Sequence, residues 1–194
     1  STIALKAEQL GIELEGEVLG EIVETLKELE YAGYHFEAAD ASLELLMRAA
    51  SGWSHDYFLL ESFSVNVGHR SGSGSRAWND VAVEVETEAT VKLHLDGERV
   101  VATGEGNGPV NALDAALREA LDDSFPQLER LHLTDFKVRV LETRQGTGAV
   151  TRVLIDTTNG EQTWTTIGVS ENIIEASWQA LVDSLVFGIL HTDA

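Results

Sequence analysis

The sequence predicts an α+β fold in which two repeated strand-strand-strand-helix units follow a small helical linker, and three observations carry that prediction. The stretch GEGNGPVNALDAALREAL, Gly104 to Leu121, returns as GVSENIIEASWQALVDSL, Gly168 to Leu185. Ahead of each copy, apolar and polar residues alternate at the period of a strand. Before residue 55 the apolar spacing is helical instead. Within the repeat, Ala112, Ala116, Leu117 and Leu121 stand opposite Ala176, Ala180, Leu181 and Leu185 at a constant offset, so the second half of the chain reads as a duplicated unit. The linker is expected over residues 1–54 and the repeated domain over 55–194, as units 55–125 and 126–194.

The helical part contains Thr2 to Leu10, ended by Gly11, and Glu17 to Glu30, whose Val18, Leu19, Ile22, Val23, Leu26 and Leu29 form one face. Gly33 is placed to stop that helix. A third helix is expected from Glu37 to Ala50, with Ala38, Ala41, Leu45, Leu46 and Ala49 as its apolar stripe. Helices this short do not enclose a core of their own, so they are expected to pack on another part of the chain or on a second copy.

From Tyr57 the period becomes two. Phe63, Val65 and Val67 alternate with polar residues, as do Val81, Val83, Val85, Ala89, Val91, Leu93 and Leu95. Asp96-Gly97 is a tight-turn signal, and Arg99 to Thr103 returns as a third strand. Leu133, Phe136, Val138 and Val140 then match Leu60, Phe63, Val65 and Val67, and Val153 to Ile155 leads through a turn at Thr157 to Gly160 into Thr163 to Ile167. Both first strands change parity just before their Phe, which a shared β-bulge explains. Helices are expected at Val110 to Leu121 and Ile173 to Leu190. The Gly/Ser-rich insertion Gly68 to Asp80 joins two strands rather than a strand to a helix, so it reads as a loop and not as a phosphate cradle.

Composition narrows the function. The 194 residues carry 33 acidic and 13 basic side chains, a net charge of −20, which opposes contact with phosphate backbones and anionic lipid. Nucleic acid and membrane are therefore not expected as partners, and no apolar run is expected to reach the roughly 20 residues of a membrane span. With no cysteine there is no disulfide framework or thiolate metal site, and Ser1 to Leu10 lacks a signal-peptide profile, which makes a cytoplasmic location the expectation. The six histidines show no H-x-H or H-E-x-x-H pair, and there is neither a G-x-S-x-G elbow nor a P-loop. No catalytic residue and no metal ligand is expected in this chain.

The chemically pointed feature is the entry to each repeated helix. Gly104, Gly106 and Gly108 expose backbone, Pro109 suits a first helical turn, and free N–H groups there favour an anion such as a carboxylate; Gly168, Val169 and Ser170 make the parallel entry. The same glycines would equally serve tight turns and close helix packing.

EATVKLHLDGERVVATGEGNGPVNALDAAL and TWTTIGVSENIIEASWQALVDSL resemble the C-terminal regulatory domain of the 2-isopropylmalate synthase and citramalate synthase family, and LKELEYAGYHFEAADASLELLM, Leu26 to Met47, resembles the linker of its citramalate synthase branch. The resemblance covers nearly the whole chain apart from Gly68 to Asp80. It implies a parent acyltransferase that condenses acetyl-CoA with a 2-oxo acid, pyruvate in the citramalate branch, on a TIM barrel of about 250 residues. The barrel's Arg-Asp and H-x-H motifs are not in this chain, so the divalent metal and acetyl-CoA belong to the barrel and the chain is expected to have no activity alone.

What the resemblance further implies is a homodimeric allosteric domain that binds the pathway's end-product amino acid for feedback inhibition. Isoleucine is the expected effector, with leucine the alternative and a ligand-free dimerisation module a third reading. Carried over residue by residue, the effector site falls on Gly106, Asn107, Gly108, Pro109 and Val110, on Gly168, Val169 and Ser170, and on Phe136, Val138 and Val140 as wall residues. Phe136 stands where the family commonly has Tyr.

Overall fold

Residues 2–70, 84–142 and 148–194 are described by a computed structural model. The chain divides into two units, Tyr57–Pro126 on the one hand and Ser1–Asp56 with Gln127–Ala194 on the other. The helical N-terminal segment thus belongs with the second repeat.

In the Tyr57–Pro126 unit, strands β1 (Leu59–Arg70), β2 (Glu84–Leu95) and β3 (Glu98–Gly106) form an antiparallel sheet in the order β1-β2-β3, followed by helix α4 (Pro109–Leu121). Asp96 and Gly97, at φ 49 and 83, make the expected tight hairpin turn. The expected bulge interrupts the β1–β2 register between Leu60 and Ser62. It releases Glu61 to accept from Arg99 Nε at 2.9 Å and to meet His94 Nε2 at 3.0 Å. The hydrogen bond from Arg99, then that from His94, holds the Glu61 carboxyl down at about 2. Ala89, Val91, Leu93 and Ala102 face Ala112, Leu113, Ala116 and Leu117 of α4, and all are buried. Val81 and Val83, and the insertion beyond Arg70, lie outside the described residues.

The other unit repeats the plan. Strands β4 (His132–Glu142), β5 (Ala149–Thr158) and β6 (Thr163–Ser170) pair in the order β4-β5-β6, and α5 (Ile173–His191) follows. The matching bulge lies between Leu133 and Asp135. Both third strands run longer than expected, through Gly106 and Ser170, because the glycines at Gly104 and Gly168 continue the pairing while letting the helix lie close.

Helices α1 (Thr2–Gln9), α2 (Gly16–Ala32) and α3 (Asp40–Ala50) supply a second apolar layer, in which Ile22, Leu26, Phe36, Leu43 and Met47 cluster with Ile167 and Val169 of β6. Gly33 ends α2 in the left-handed region at φ 119, and its neighbour Tyr34 donates its N–H back to the Leu29 carbonyl at 3.0 Å.

The third helix corrects its expectation. A 3-10 turn at Phe36–Ala38 precedes it, Ala38 and Ala49 are exposed, and the buried residues are Ala41, Ser42, Leu43, Glu44 and Met47. Polar partners turn the helix this way. Ser42 Oγ donates to Asp183 Oδ2 at 2.8 Å, and Glu44 Oε1 meets Arg48 Nη2 at 2.8 Å and His191 Nε2 at 2.6 Å. Along the free edge of β6, Thr165 N–H donates to Asp40 Oδ1, Ile167 N–H to Ser42 Oγ and Val169 N–H to Gln179 Oε1, at 3.0, 3.0 and 3.1 Å. Side chains thereby close an edge that would otherwise invite another strand.

The expectation about apolar runs is also corrected. Helix α5 has 19 residues and a mean hydropathy of 1.5, long and apolar enough to cross a membrane. Its hydrophobicity serves the core, because α5 packs on β5 and β6 and also on α3, and 61% of it is buried. Gly188 lets it approach Leu131 and Trp164, whose indole N–H donates to the Ser184 carbonyl at 3.2 Å.

Candidate effector site

The two helix entries correspond position by position, Gly104 to Gly168, Gly106 to Ser170 and Gly108 to Asn172. At Gly104 and Gly168 an added Cβ would run into the backbone of the unit's own helix, at Ala112 and Ala116 in one and Ala176 in the other. At Gly106 it would stand 2.7 Å from Ala112 N. These glycines are required by strand-to-helix packing, one of the two roles the sequence leaves open for them, and at Gly106 it is α4 that fills the space a side chain would take.

Gly108 differs. Its backbone is extended, with φ −169 and ψ 172, and nothing lies within 4 Å of where a Cβ would be. It is the N-cap residue of α4, Pro109 opens the helix, and no side chain caps the following N–H groups. Asn107 Oδ1 accepts instead from Asn111 Nδ2. In the second repeat Asn172 occupies the cap position, and its Oδ1 accepts from Ile174 N at 2.8 Å and from Glu175 N at 3.4 Å. One helix start is closed by its own side chain; the other leaves its donors and the positive end of its dipole without one. Val110, half-buried, begins the apolar side of that open entry.

Gly106 to Val110 belong to the Tyr57–Pro126 unit, and the other six candidate residues to the second unit. There, Phe136 pairs with Ile155, Val138 with Val153 and Val140 with Thr151; across β5, Val153 pairs with Gly168 and Thr151 with Ser170. Val138, Val153 and Gly168 therefore form one cross-strand row, and Val140, Thr151 and Ser170 the next. Helix α5 covers the β5 and β6 members of these rows. Phe136, Val138 and Val140, on the edge strand, remain 42%, 41% and 67% exposed as an apolar stripe. Ser170 Oγ accepts the Asn172 N–H at 3.1 Å. Val169 points the other way, into the helical layer, and its N–H is taken by Gln179, so it offers no free donor.

Sequence reasoning missed a cleft in the Ser1–Asp56 and Gln127–Ala194 unit, where Asp183, Tyr34 and Gln179 meet. The available signal was a carboxylate inside the apolar run of α5. No group of three or more His, Cys, Asp or Glu able to hold a metal occurs among the described residues.

Residues 37–187 match the LeuA allosteric (dimerisation) domain family. The chain belongs to that family. This LeuA-type allosteric domain is 52% identical over 193 residues to an (R)-citramalate synthase of Streptomyces coelicolor, covering 98% of the chain and 34% of that relative. It is 45% identical over 191 residues to an (R)-citramalate synthase of Synechocystis, covering 97% of the chain and 34% of the relative. Similarity to a 2-isopropylmalate synthase of Acidimicrobium ferrooxidans is lower, 33% over 178 residues, covering 91% and 30%. The chain spans about a third of the length of these curated relatives. A family described as a dimerisation domain supports a homodimer.

Proposed function

We propose that this domain is the effector-binding part of a citramalate synthase-like acyltransferase of the cytoplasm, and that its effector is isoleucine, acting by feedback inhibition. The observation that carries the reading is the start of α4 at Gly108, uncapped where the corresponding start of α5 is capped by Asn172. Two N–H groups and a helix dipole suit an amino-acid carboxylate. The apolar side chain would lie against Val110, half-buried in the first turn of the same helix. The higher identity to citramalate synthases than to a 2-isopropylmalate synthase favours isoleucine over leucine. Acetyl-CoA, pyruvate and a divalent metal would be handled by a catalytic portion that this chain does not include.

Calorimetric titration of the chain with isoleucine and with leucine tests the reading. Saturable binding of isoleucine, tighter than that of leucine, is expected. The reverse order would assign the domain to the 2-isopropylmalate synthase branch, and heat from neither would leave a dimerisation module without an effector.

A further inference from the structure

Alternation along β4 puts Lys137 and Arg139 on the face of the sheet opposite the stripe Phe136, Val138 and Val140. In the β4–β5 register Arg139 stands directly across from Arg152, and on the same face Asp135 stands across from Asp156. Like charges directly opposite destabilise a sheet, and exchanging one member of each pair would have made two ion pairs instead. The acidic pair has partners: Asp135 Oδ2 lies 3.2 Å from Lys137 Nζ, and Asp156 Oδ1 accepts from Thr165 Oγ1 at 2.6 Å. The basic pair lacks them. Arg152 donates from Nε to the Gly33 carbonyl at 2.7 Å, at the negative end of α2, and its charge is disfavoured by burial and then by Arg139. Neither guanidinium has a carboxylate within ion-pair distance among the described residues, and residues 143–147, which follow β4, contain no Asp or Glu. With 33 acidic side chains to 13 basic ones, the chain does not lack carboxylates that could neutralise them.

Lys137, Arg139 and Arg152, with Val138 and Leu154, line a cleft of about 360 Å³. Capping α2 accounts for Arg152 alone. It accounts neither for a second arginine placed where its charge repels the first nor for the cleft the two share. We propose that this cleft binds a compact oxyanion, a phosphate group or a dicarboxylate, held between the Arg139 and Arg152 guanidinia with the Lys137 ammonium beside it. Both ligands carry two negative charges on closely spaced oxygens, which the paired N–H donors of a guanidinium match, and Arg152 is already fixed in place by Gly33. The net charge of −20 keeps polyanions at a distance, so the ligand is small. Its chemistry differs from that proposed at Gly108, where a single carboxylate meets backbone N–H groups.

The test adds sodium phosphate or sodium malonate to the chain at constant ionic strength, balanced with sodium chloride, and follows the Arg152 Nε–H resonance. Saturable shifts are expected. Tighter binding of phosphate points to a phosphate group and tighter binding of malonate to a dicarboxylate, either supporting the site. Arg139→Gln removes the repelling charge, so it should fold, be no less stable than the parent in chloride alone, and bind either anion about tenfold or more weakly. The urea midpoint gives a second readout, since the anion that binds should raise the parent's midpoint more than that of Arg139→Gln. Arg139→Lys, which keeps the charge without the planar fork, should retain part of the affinity. Shifts that chloride matches or that do not saturate, an Arg139→Gln protein less stable than the parent in chloride, or unchanged affinity in folded Arg139→Gln would overturn the proposal.

Discussion

Gly108 and Asn172 hold the same N-cap position in the two repeats, and only Asn172 closes its helix, with Oδ1 2.8 Å from Ile174 N. The difference is chemical rather than conformational, because both residues have extended backbones that any residue adopts. Replacing the cap where it exists, Asn172→Ala, should cost about 0.5–2 kcal/mol in urea unfolding. Installing it where it is missing, Gly108→Asn, should change stability by no more than a few tenths of a kcal/mol, in the favourable direction.

Gly168 and Gly104 answer to a different constraint. Each faces the backbone of its own helix, so Gly168→Ala should force α5 off the sheet at Ala176 and lower stability by about 1–3 kcal/mol or more. Gly108→Ala, with open space at its Cβ, should stay within about 1 kcal/mol of the parent. Comparing the two denaturation midpoints separates packing glycines from the open one.

Asp183 gives the fold a pH dependence of known sign. Burial, eased by the Ser42 hydroxyl, raises its carboxyl from 3.8 to about 6. Between those values the folded chain holds a proton that the unfolded chain has released. This group's contribution is therefore complete below about pH 4 and is lost as pH rises through about 6. Asp183→Asn should be more stable than the parent at pH 7 by about 1–3 kcal/mol, and its stability should change less between pH 4 and 6. Urea midpoints at pH 4, 6 and 7 check this.

The stripe Phe136, Val138 and Val140 lies beyond the reach of α5 on an edge strand. Light scattering at micromolar concentration should find a dimer, and Val138→Glu, which puts a charge in the middle of that stripe, should shift it toward monomer while the far-UV dichroism is kept. A Val138→Glu protein as dimeric as the parent would take this strand out of the interface.

Local signals were legible in the sequence. Asp96-Gly97 announced its hairpin, Gly33 its helix end, and the parity changes before Phe63 and Phe136 their bulges, because each is decided within a few residues. The face of α3 was not legible, since Ser42 and Glu44 are buried by Asp183 and His191, partners 141 and 147 positions away. Nor could spacing tell a glycine that admits a ligand from one that admits a helix, as both need a bare Cα; only the position of Ala112 beside Gly106 decides it. The apolar length of α5 misled for a related reason, because most of its circumference, apart from the Glu175, Gln179 and Asp183 face, is apolar when a sheet and a helical layer enclose it.

The account rests on the open start of α4, and isoleucine titration of Gly108→Asp tests it most directly. An Asp at this position should fold, since it is a good N-cap residue in unobstructed space, and its carboxylate should take the N–H groups that the effector's carboxylate would use while repelling that carboxylate. The account predicts a folded dimer whose isoleucine heat is lost, with Gly108→Asn weakened in the same direction and, in a barrel-containing parent, activity that no longer responds to end product. Isoleucine affinity in folded Gly108→Asp equal to that of the parent would contradict it.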